Sequence, residues 1–297
     1  FCSWDEYSVT MAVEAARDAL ADRSRGAIAS LTLASTTLPM ADLQGSGIAA
    51  AALGLADSVR TLDLAHSHRV ASSGLIAALR QPGEPALFIA SDRPRGKPAS
   101  SQEIGCGAGA AAFTLGSENA IAVPIASVSR NAMFVDHFRS EGARYDYAWE
   151  ERWVRDEGYL KLAAEAVQAA LREAAIPAAE VDHFILPAPF RGVAAAVAKK
   201  VGVSAQAEAS ALDESCGYSG AAHGPLMLAH VLEQAKPGQT IVLVGFGQGA
   251  DALVLRCTDA IGTTRPRRGV GAALADAQSH DAYLRLVRGA DGRYEIG

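Results

Sequence analysis

Length, composition and charge narrow the class of protein before any motif is considered. The chain has 297 residues, about half of them apolar, with few aromatic residues and a formal net charge of −6. These values favour one large or two ordinary domains with a sizeable core, and they argue against general nucleic-acid binding. The four cysteines form no CxxC pair, so neither a zinc site nor a disulfide framework is predicted, and a reducing cytoplasm fits best. No apolar run is long enough to span a bilayer, so we expect no membrane partner.

The first half of the chain alternates helical and strand-like patterns. Apolar residues at helical spacing predict helices, and short β-branched or leucine-rich runs bounded by turn formers predict buried strands. In chain order the predicted elements are the helix Met11–Leu20, the strand Ile28–Ala34, the helix Ile48–Leu55, the strand Thr61–Leu64, a helix ending at Leu79, and the strands Ala86–Ala90 and Ala110–Leu115.

The same order of elements recurs about 150 residues later. Val13–Ala16 matches Val167–Ala170 at an offset of 154, and Leu87–Ser91 matches Ile241–Gly245 at the same offset. The repeat is too long for a solenoid, so we interpret it as an internal duplication. Each half is expected to be a mostly parallel sheet covered by helices, which places the chain in the α/β class. The alternative interpretation is generic α/β alternation in an alanine-rich chain.

The pattern divides the chain into four parts. An N-terminal half spans 1–133, an aromatic insertion 134–161, a C-terminal half 162–258, and a linker with a tail 259–297. The insertion contains Asp136–Arg139 and the aromatic, charged run Tyr145–Trp153. Such an insertion is predicted to be a lid or pocket wall, although a dimer contact is an equally suitable role. The tail contains a short amphipathic segment, Asp281–Val287.

The stretch from Ala65 to Leu75 is the most informative part of the chain. It follows the strand Thr61–Leu64 and opens an apolar helical run. A strand that ends in a small, polar turn at a helix N-terminus presents free N–H groups and a favourable dipole to an anion. This geometry suits a reactive thiolate or an oxyanion, yet no cysteine is present in the turn.

This organisation resembles the thiolase superfamily, and most closely 3-hydroxy-3-methylglutaryl-CoA synthase and the related β-ketoacyl synthase III-like proteins. Asp5–Ala16 is similar to the opening helix of that family, and Trp149–Tyr159 is similar to its insertion. Ala235–Gly238 followed by Val244–Gly249 resembles its late strand and glycine-rich turn. The resemblance covers roughly Trp4 to Cys257 and implies a thiolase-like duplicated core of two sheets packed with helices.

Each catalytic position carried over from the family is changed. The resemblance places His68 where the family has its nucleophilic cysteine, and Thr36 or Thr37 where it has the acid–base glutamate. Pro187 takes the place of the family's histidine, and Cys216 that of the oxyanion-supporting asparagine. Since the family's condensation needs a thiolate and two proton-transfer groups, the standard acyl-enzyme mechanism is not expected here.

Four residues remain candidates for catalysis, and each has a structural alternative. His68 is a candidate general base or carbonyl-polarising group, or else a hydrogen-bonded residue that fills the old cysteine pocket. Cys216 precedes a helix that could lower its pKa, or it packs as a small apolar residue. Tyr218 and His223, the latter on the same helix start, are expected to be the polar side chains nearest to it, and Tyr218 is a candidate acid. His66 and His68 do not by themselves predict a metal site, and none is expected.

Two groups of residues are candidates for binding coenzyme A. The resemblance implies that basic residues after the second strand of the C-terminal half meet the phosphates of coenzyme A; these are Arg191, Lys199 and Lys200. A solvated helix face is the alternative. Gly245, Gly247 and Gly249 permit close approach of the backbone to a ligand, or serve a tight turn between two strands.

Three functions are compatible with these residues. The first is an enzyme that makes or breaks a C–C bond in an acyl-CoA without a cysteine, such as an aldolase. The second is a non-catalytic subunit that scaffolds an active thiolase or a zinc-ribbon/OB-fold partner. The third is a conventional condensing acyltransferase with relocated residues. The resemblance implies a coenzyme A thioester as substrate, no tightly bound cofactor, and a homodimer or a thiolase-like heterodimer.

Overall fold

The computed structural model describes residues 6–81, 83–263 and 266–277, and it forms helices and strands in the predicted order. The helices are α1 Ser8–Leu20, α2 Gly45–Leu53, α3 Val70–Leu79, α4 Ser101–Gly105, α5 Glu151–Trp153, α6 Ala164–Ala174, α7 Val193–Val201, α8 Asp213–Cys216, α9 His223–Leu232 and α10 Gly269–Ala275. The strands are β1 Ser30–Ala34, β2 Arg60–Leu64, β3 Ala86–Asp92, β4 Gly109–Leu115, β5 Ala122–Asn131, β6 His137–Phe138, β7 Tyr147–Ala148, β8 His183–Ile185, β9 Thr240–Phe246 and β10 Gly249–Cys257.

The N-terminal half forms a mixed sheet in the order β2-β1-β3-β4. β1 pairs in parallel with β2 and with β3, and β4 runs antiparallel to β3. The leucines and isoleucines of β1 and β3 are buried on the face that packs against α1 and α2. This half therefore agrees with the mostly parallel sheet that the sequence predicts.

The second sheet has the order β5-β10-β9-β8, and it combines β5 from the predicted N-terminal half with three strands of the C-terminal half. Here β8–β9 is parallel, whereas β9–β10 and β10–β5 are antiparallel. The prediction of a mostly parallel sheet is therefore wrong for this sheet, because the turn between Phe246 and Gly249 folds β10 directly back on β9 and β5 then pairs antiparallel with β10. The position that corresponds to β2 holds a single bridge, Phe184 to Glu208.

The duplication is visible in the order of elements. α1, β1, α2, β2, α3, β3 and β4 correspond to α6, β8, α7, the Glu208 bridge, α9, β9 and β10. α3 and α9 lie between the two sheets, since their buried residues share one core with residues of β1, β3, β9 and β10. Helices enclosed on all sides need small residues at their closest contacts. Gly74 of α3 is such a residue, because an added Cβ would lie 2.6 Å from the Leu64 side chain.

The insertion forms the short hairpin β6–β7, followed by a helix that runs from Glu151 without a break into α6. Its central part, Val154–Ala163, is π-helical, and the helix crosses the predicted boundary at 161/162. In the tail, α10 packs against α9, where the Glu233 carboxylate accepts from the backbone N–H of Gly271. The segment Asp281–Val287 lies outside the described residues. A search of the described helices for a membrane-spanning candidate identified none.

Candidate functional site

The turn between β2 and α3 is held against the opposite half of the molecule. The Ser67 hydroxyl donates to the carbonyl of Gly247 at 3.0 Å, and Arg69 Nε donates to the same carbonyl at 3.1 Å. His66, the preceding exposed residue, adopts a left-handed conformation with φ 81°. His68 lies between Ser67 and Arg69. Because both neighbours are bound to the β9–β10 turn, this turn fixes the position of His68.

A buried carboxylate anchors the first turn of α3. Asp251 of β10 is fully buried, and its oxygens lie 3.1 Å from Arg69 Nη1, 2.7 Å from Ser72 Oγ and 2.6 Å from Ser73 Oγ. The arginine and both hydroxyls donate to it, so the charge is compensated. This network joins the two halves of the molecule at the residues that follow His68.

His68 lies in a cluster with two residues that the sequence does not bring near it. Its imidazole stacks on that of His137 with 3.6 Å between ring centroids, and the Tyr218 hydroxyl lies 3.4 Å from its Nδ1. His137 Nδ1 is in turn 2.6 Å from an Asp136 oxygen. The cluster therefore contains two imidazoles, a phenol and a carboxylate.

The environment gives these groups different protonation preferences. Burial, and then the charges of His137 and Arg139, hold the pKa of His68 well below its usual value, so its ring is neutral. Burial also opposes protonation of His137, but the hydrogen bond and the charge of Asp136 outweigh it and raise the pKa of His137. Burial raises the pKa of Tyr218 well above its usual value, so its hydroxyl keeps its proton. A neutral imidazole therefore lies beside a protonated phenol.

The insertion contacts three of the four positions that the resemblance identifies as changed catalytic residues. His137 covers His68, Arg139 Nη2 donates to the carbonyl of Thr36 at 2.5 Å, and the Tyr159 hydroxyl donates to the carbonyl of Pro187 at 3.4 Å. Two of these contacts are made by side chains of the Asp136–Arg139 run. The predicted role of the insertion as a pocket wall is consistent with these contacts.

A second buried carboxylate organises the Thr36 position. Asp92, at the end of β3, accepts from the hydroxyls of Thr36 at 2.8 Å and Thr37 at 2.5 Å and from the backbone N–H of Ala221 at 2.9 Å. Burial raises its pKa, and the hydrogen bonds oppose that rise. The two threonines therefore bind Asp92, which ties the N-terminal half to the residues before α9.

Cys216 and His223 take positions that favour structural roles. The Cys216 thiol lies 3.4 Å from the carbonyl of Leu212, and burial, followed by the charge of Asp213, raises its pKa. His223 is fully buried, with Nδ1 3.2 Å from Ser219 Oγ and Nε2 2.6 Å from the carbonyl of Ala211. Tyr218 lies against both rings, 5.8 Å from the His68 centroid and 5.2 Å from the His223 centroid.

The residues predicted to bind coenzyme A are placed in two different settings. Arg191 is exposed before α7, whereas Lys199 and Lys200 are exposed in its last turn. The glycines lie in the β9–β10 hairpin, where a Cβ at Gly245 would lie 1.9 Å from Ser72 Oγ and one at Gly247 would lie 2.7 Å from Ser67 Oγ. Gly249 similarly faces the carbonyl of Arg130. The glycines thus permit close packing of the hairpin on the His68 turn and on β5.

A small cavity adjoins the cluster. It has a volume of about 10 Å³, and its lining includes His68, Pro187, Tyr218 and Phe246. This is room for one water molecule. A substrate carbonyl would enter only if neighbouring side chains moved.

Sequence reasoning missed Asp136 and His137 as site residues, although it identified the run that contains them. The signal that could have found them is a histidine directly after an acidic residue in a segment expected to cover the site. Asp92 and Asp251 were also missed, because a single aspartate in an otherwise apolar strand indicates burial with partners but not which partners.

The sequence of the chain is similar to those of known proteins. Residues 171–257 match the family model for the C-terminal part of 3-oxoacyl-[acyl-carrier-protein] synthase III. The chain is 30% identical over 272 residues to a hydroxymethylglutaryl-CoA synthase of Aeropyrum pernix, covering 88% of this chain and 75% of the relative. It is 31% identical over 272 residues to the synthase of Methanosphaera stadtmanae, with 88% and 78% covered.

Solved structures show the same fold at lower sequence identity. A crystal structure of an HMG-CoA synthase complexed with CoA has a TM-score of 0.76 at 16% identity, covering 88% of this chain and 72% of that one. The 3-oxoacyl-(acyl carrier protein) synthase III of Pseudomonas aeruginosa has a TM-score of 0.73 at 23% identity, covering 86% and 84%. The fold is therefore thiolase-like, as predicted, and the chain belongs to the hydroxymethylglutaryl-CoA synthase family of acyl-CoA condensing enzymes.

Proposed function

We propose that this chain makes or breaks a C–C bond in a coenzyme A thioester without forming an acyl-enzyme, with a 3-hydroxyacyl-CoA as the substrate of the cleavage direction. The observation that carries this proposal is the contact of the His68 imidazole with the Tyr218 hydroxyl, at the helix N-terminus where the family's cysteine would lie. Family membership supports the coenzyme A thioester as the substrate class.

The residues suit a retro-aldol cleavage. The His68 imidazole accepts the proton of the substrate's 3-hydroxyl, the C2–C3 bond breaks, and a carbonyl forms at C3. The electron pair moves to the thioester as an enolate, whose oxygen accepts a hydrogen bond from Tyr218. The proton on His68 then returns to C2, which gives a shorter acyl-CoA and a ketone or aldehyde. No thiolate is needed at any step.

A relocated cysteine nucleophile fits less well. Burial raises the pKa of Cys216 and raises that of Cys106 to about 12, whereas a nucleophilic thiol needs a lowered pKa. The Cys216 thiol also lies within hydrogen-bonding distance of the Leu212 carbonyl.

A specific observation favours a second function, that of a non-catalytic subunit. The cavity at His68 holds only about one water, and the insertion contacts three of the four changed positions. In that case the fold is retained for assembly with a second copy, a thiolase-like subunit or a zinc-ribbon/OB-fold protein.

Product analysis with HMG-CoA as the probe separates these functions. We expect wild-type protein to release a shorter acyl-CoA and a keto acid, detected by liquid chromatography and mass spectrometry. His68→Ala should lower the rate at least about 100-fold, the usual contribution of a general base. The matched control His66→Asn alters a neighbouring exposed histidine and should keep the rate, because asparagine tolerates the left-handed backbone there.

Three results would count against the proposal. A rate that His68→Ala leaves unchanged would refute it. Failure to bind coenzyme A or its thioesters by calorimetry, together with tight co-purification of a partner, would favour the non-catalytic subunit. An increase in intact mass matching one acyl group on Cys216 would favour the conventional mechanism.

A further inference from the structure

The cluster around His68 brings together ligand types that bind metal ions, although they come from two distant parts of the chain. His68 is supplied by the turn before α3, and Asp136 and His137 by the beginning of the β6–β7 hairpin. One ligand atom from each lies within 4.8 Å of the others. Two imidazoles and a carboxylate form a common donor set for divalent transition metals.

The two imidazoles lie close enough to share an ion once one of the rings turns. Their rings are stacked at 3.6 Å with an interplanar angle of 22°. An imidazole nitrogen binds an ion in the plane of its ring, at about 2.1 Å, and the planes of two stacked rings do not converge on one ion. One ring must therefore turn about its side-chain torsions before both can bind the same ion. The three ligand atoms already lie within 4.8 Å of one another, so the distance left to close after that turn is short.

The residues around the cluster hold these ligands in place. The backbone carbonyl of Asp136 accepts from the N–H of Trp149 at 2.9 Å, and His137 pairs with Ala148 in the β6–β7 hairpin. On the other side, the Ser67 and Arg69 contacts to Gly247 fix the turn that carries His68. The Tyr218 hydroxyl, 3.4 Å from His68 Nδ1, is a further oxygen close to the ligands.

We propose that His68, His137 and Asp136 form a binding site for a divalent transition-metal ion at the position of the family's cysteine. Nitrogen and oxygen donors of this kind suit Zn²⁺ and Co²⁺ better than Mg²⁺ or Ca²⁺, which prefer oxygen ligands alone. The sequence pair His66 and His68 does not predict this site. The other two ligands, Asp136 and His137, come from the insertion.

The proposed ion and the proposed base role of His68 exclude one another. An imidazole that binds an ion through the nitrogen facing the site cannot also accept the substrate's proton there. We therefore expect Zn²⁺ to inhibit the C–C bond reaction, and this expectation alone rests on the proposed function. Metal binding itself is independent of any activity.

The test is a titration of the full chain after removal of metal with a chelator. Calorimetry with Zn²⁺ should give one site per chain. Co²⁺ should give visible absorption bands from nitrogen and oxygen ligands, without a thiolate-to-cobalt charge-transfer band. His137→Ala should weaken Zn²⁺ binding by about 100-fold or more, and Asp136→Asn by at least about 10-fold. The control His66→Asn should bind as the wild type does.

Either of two results would overturn the site. One is wild-type affinity for Zn²⁺ no tighter than millimolar. The other is affinity that remains unchanged in both His137→Ala and Asp136→Asn. Thermal melts of each variant without metal show whether it is folded, and the isosteric Asp136→Asn change serves as a second variant if His137→Ala unfolds. If Zn²⁺ binds as expected but HMG-CoA is not converted, the metal site stands and the proposed function fails.

Discussion

Asp251 offers a sharp test of how the His68 turn is held. The Asp251→Asn substitution keeps the shape of the side chain but removes its charge. In the native protein this fully buried carboxylate receives Arg69 Nη1 at 3.1 Å and the hydroxyls of Ser72 and Ser73 at 2.7 and 2.6 Å. The Arg69 side chain is only 16% exposed, so water has limited access to replace the lost partner.

The expected loss follows from leaving a buried cation without its counter-ion. Breaking one side of a buried ion pair costs about 3–5 kcal/mol in free energy of unfolding. For a chain of this size each kcal/mol lowers the melting temperature by about 2–4 °C, so a loss of 3 kcal/mol predicts a decrease of about 6–12 °C.

Differential scanning calorimetry or thermal circular dichroism measures this decrease, and the chain offers a matched control. Arg60 and Glu84 also form an ion pair, but their side chains are 63% and 62% exposed. Glu84→Gln should therefore cost less than about 1 kcal/mol. If Asp251→Asn melts at the same temperature as Glu84→Gln, the inference that Asp251 anchors the turn is wrong.

The remaining predictions concern packing and thiol chemistry. Gly245→Ala should lower the melting temperature by several degrees, because the new Cβ would lie 1.9 Å from Ser72 Oγ, whereas Gly105→Ala meets nothing within 4 Å and should be nearly neutral. Equal melting temperatures for the two variants would contradict the close packing of β9 on α3. The Cys106 thiol, with its pKa raised to about 12 by burial and then by the charges of Asp146 and Asp92, should react slowly with iodoacetamide at pH 7.5 and much faster after unfolding. Cys216 should also be slow to react, and rapid native-state alkylation of either thiol, located by peptide mass spectrometry, would contradict its raised pKa.

The sequence determined the duplicated order of elements and the place of the candidate site. Local patterns were sufficient because each helix and strand carries its own periodicity, and because the second half repeats the first. The resemblance to the family predicted His68 at the nucleophile position, a prediction drawn from the residues around a strand, a turn and a helix.

Only the tertiary structure decided which groups surround His68. His137 lies 69 residues away in an insertion that has no counterpart in the repeat, so neither periodicity nor duplication could place it. Asp251 meets Arg69 across the interface between the halves, and its partners depend on how the β9–β10 turn packs on α3. Pairing of polar side chains between distant segments follows from the packing of whole elements, which no local pattern in this chain encodes.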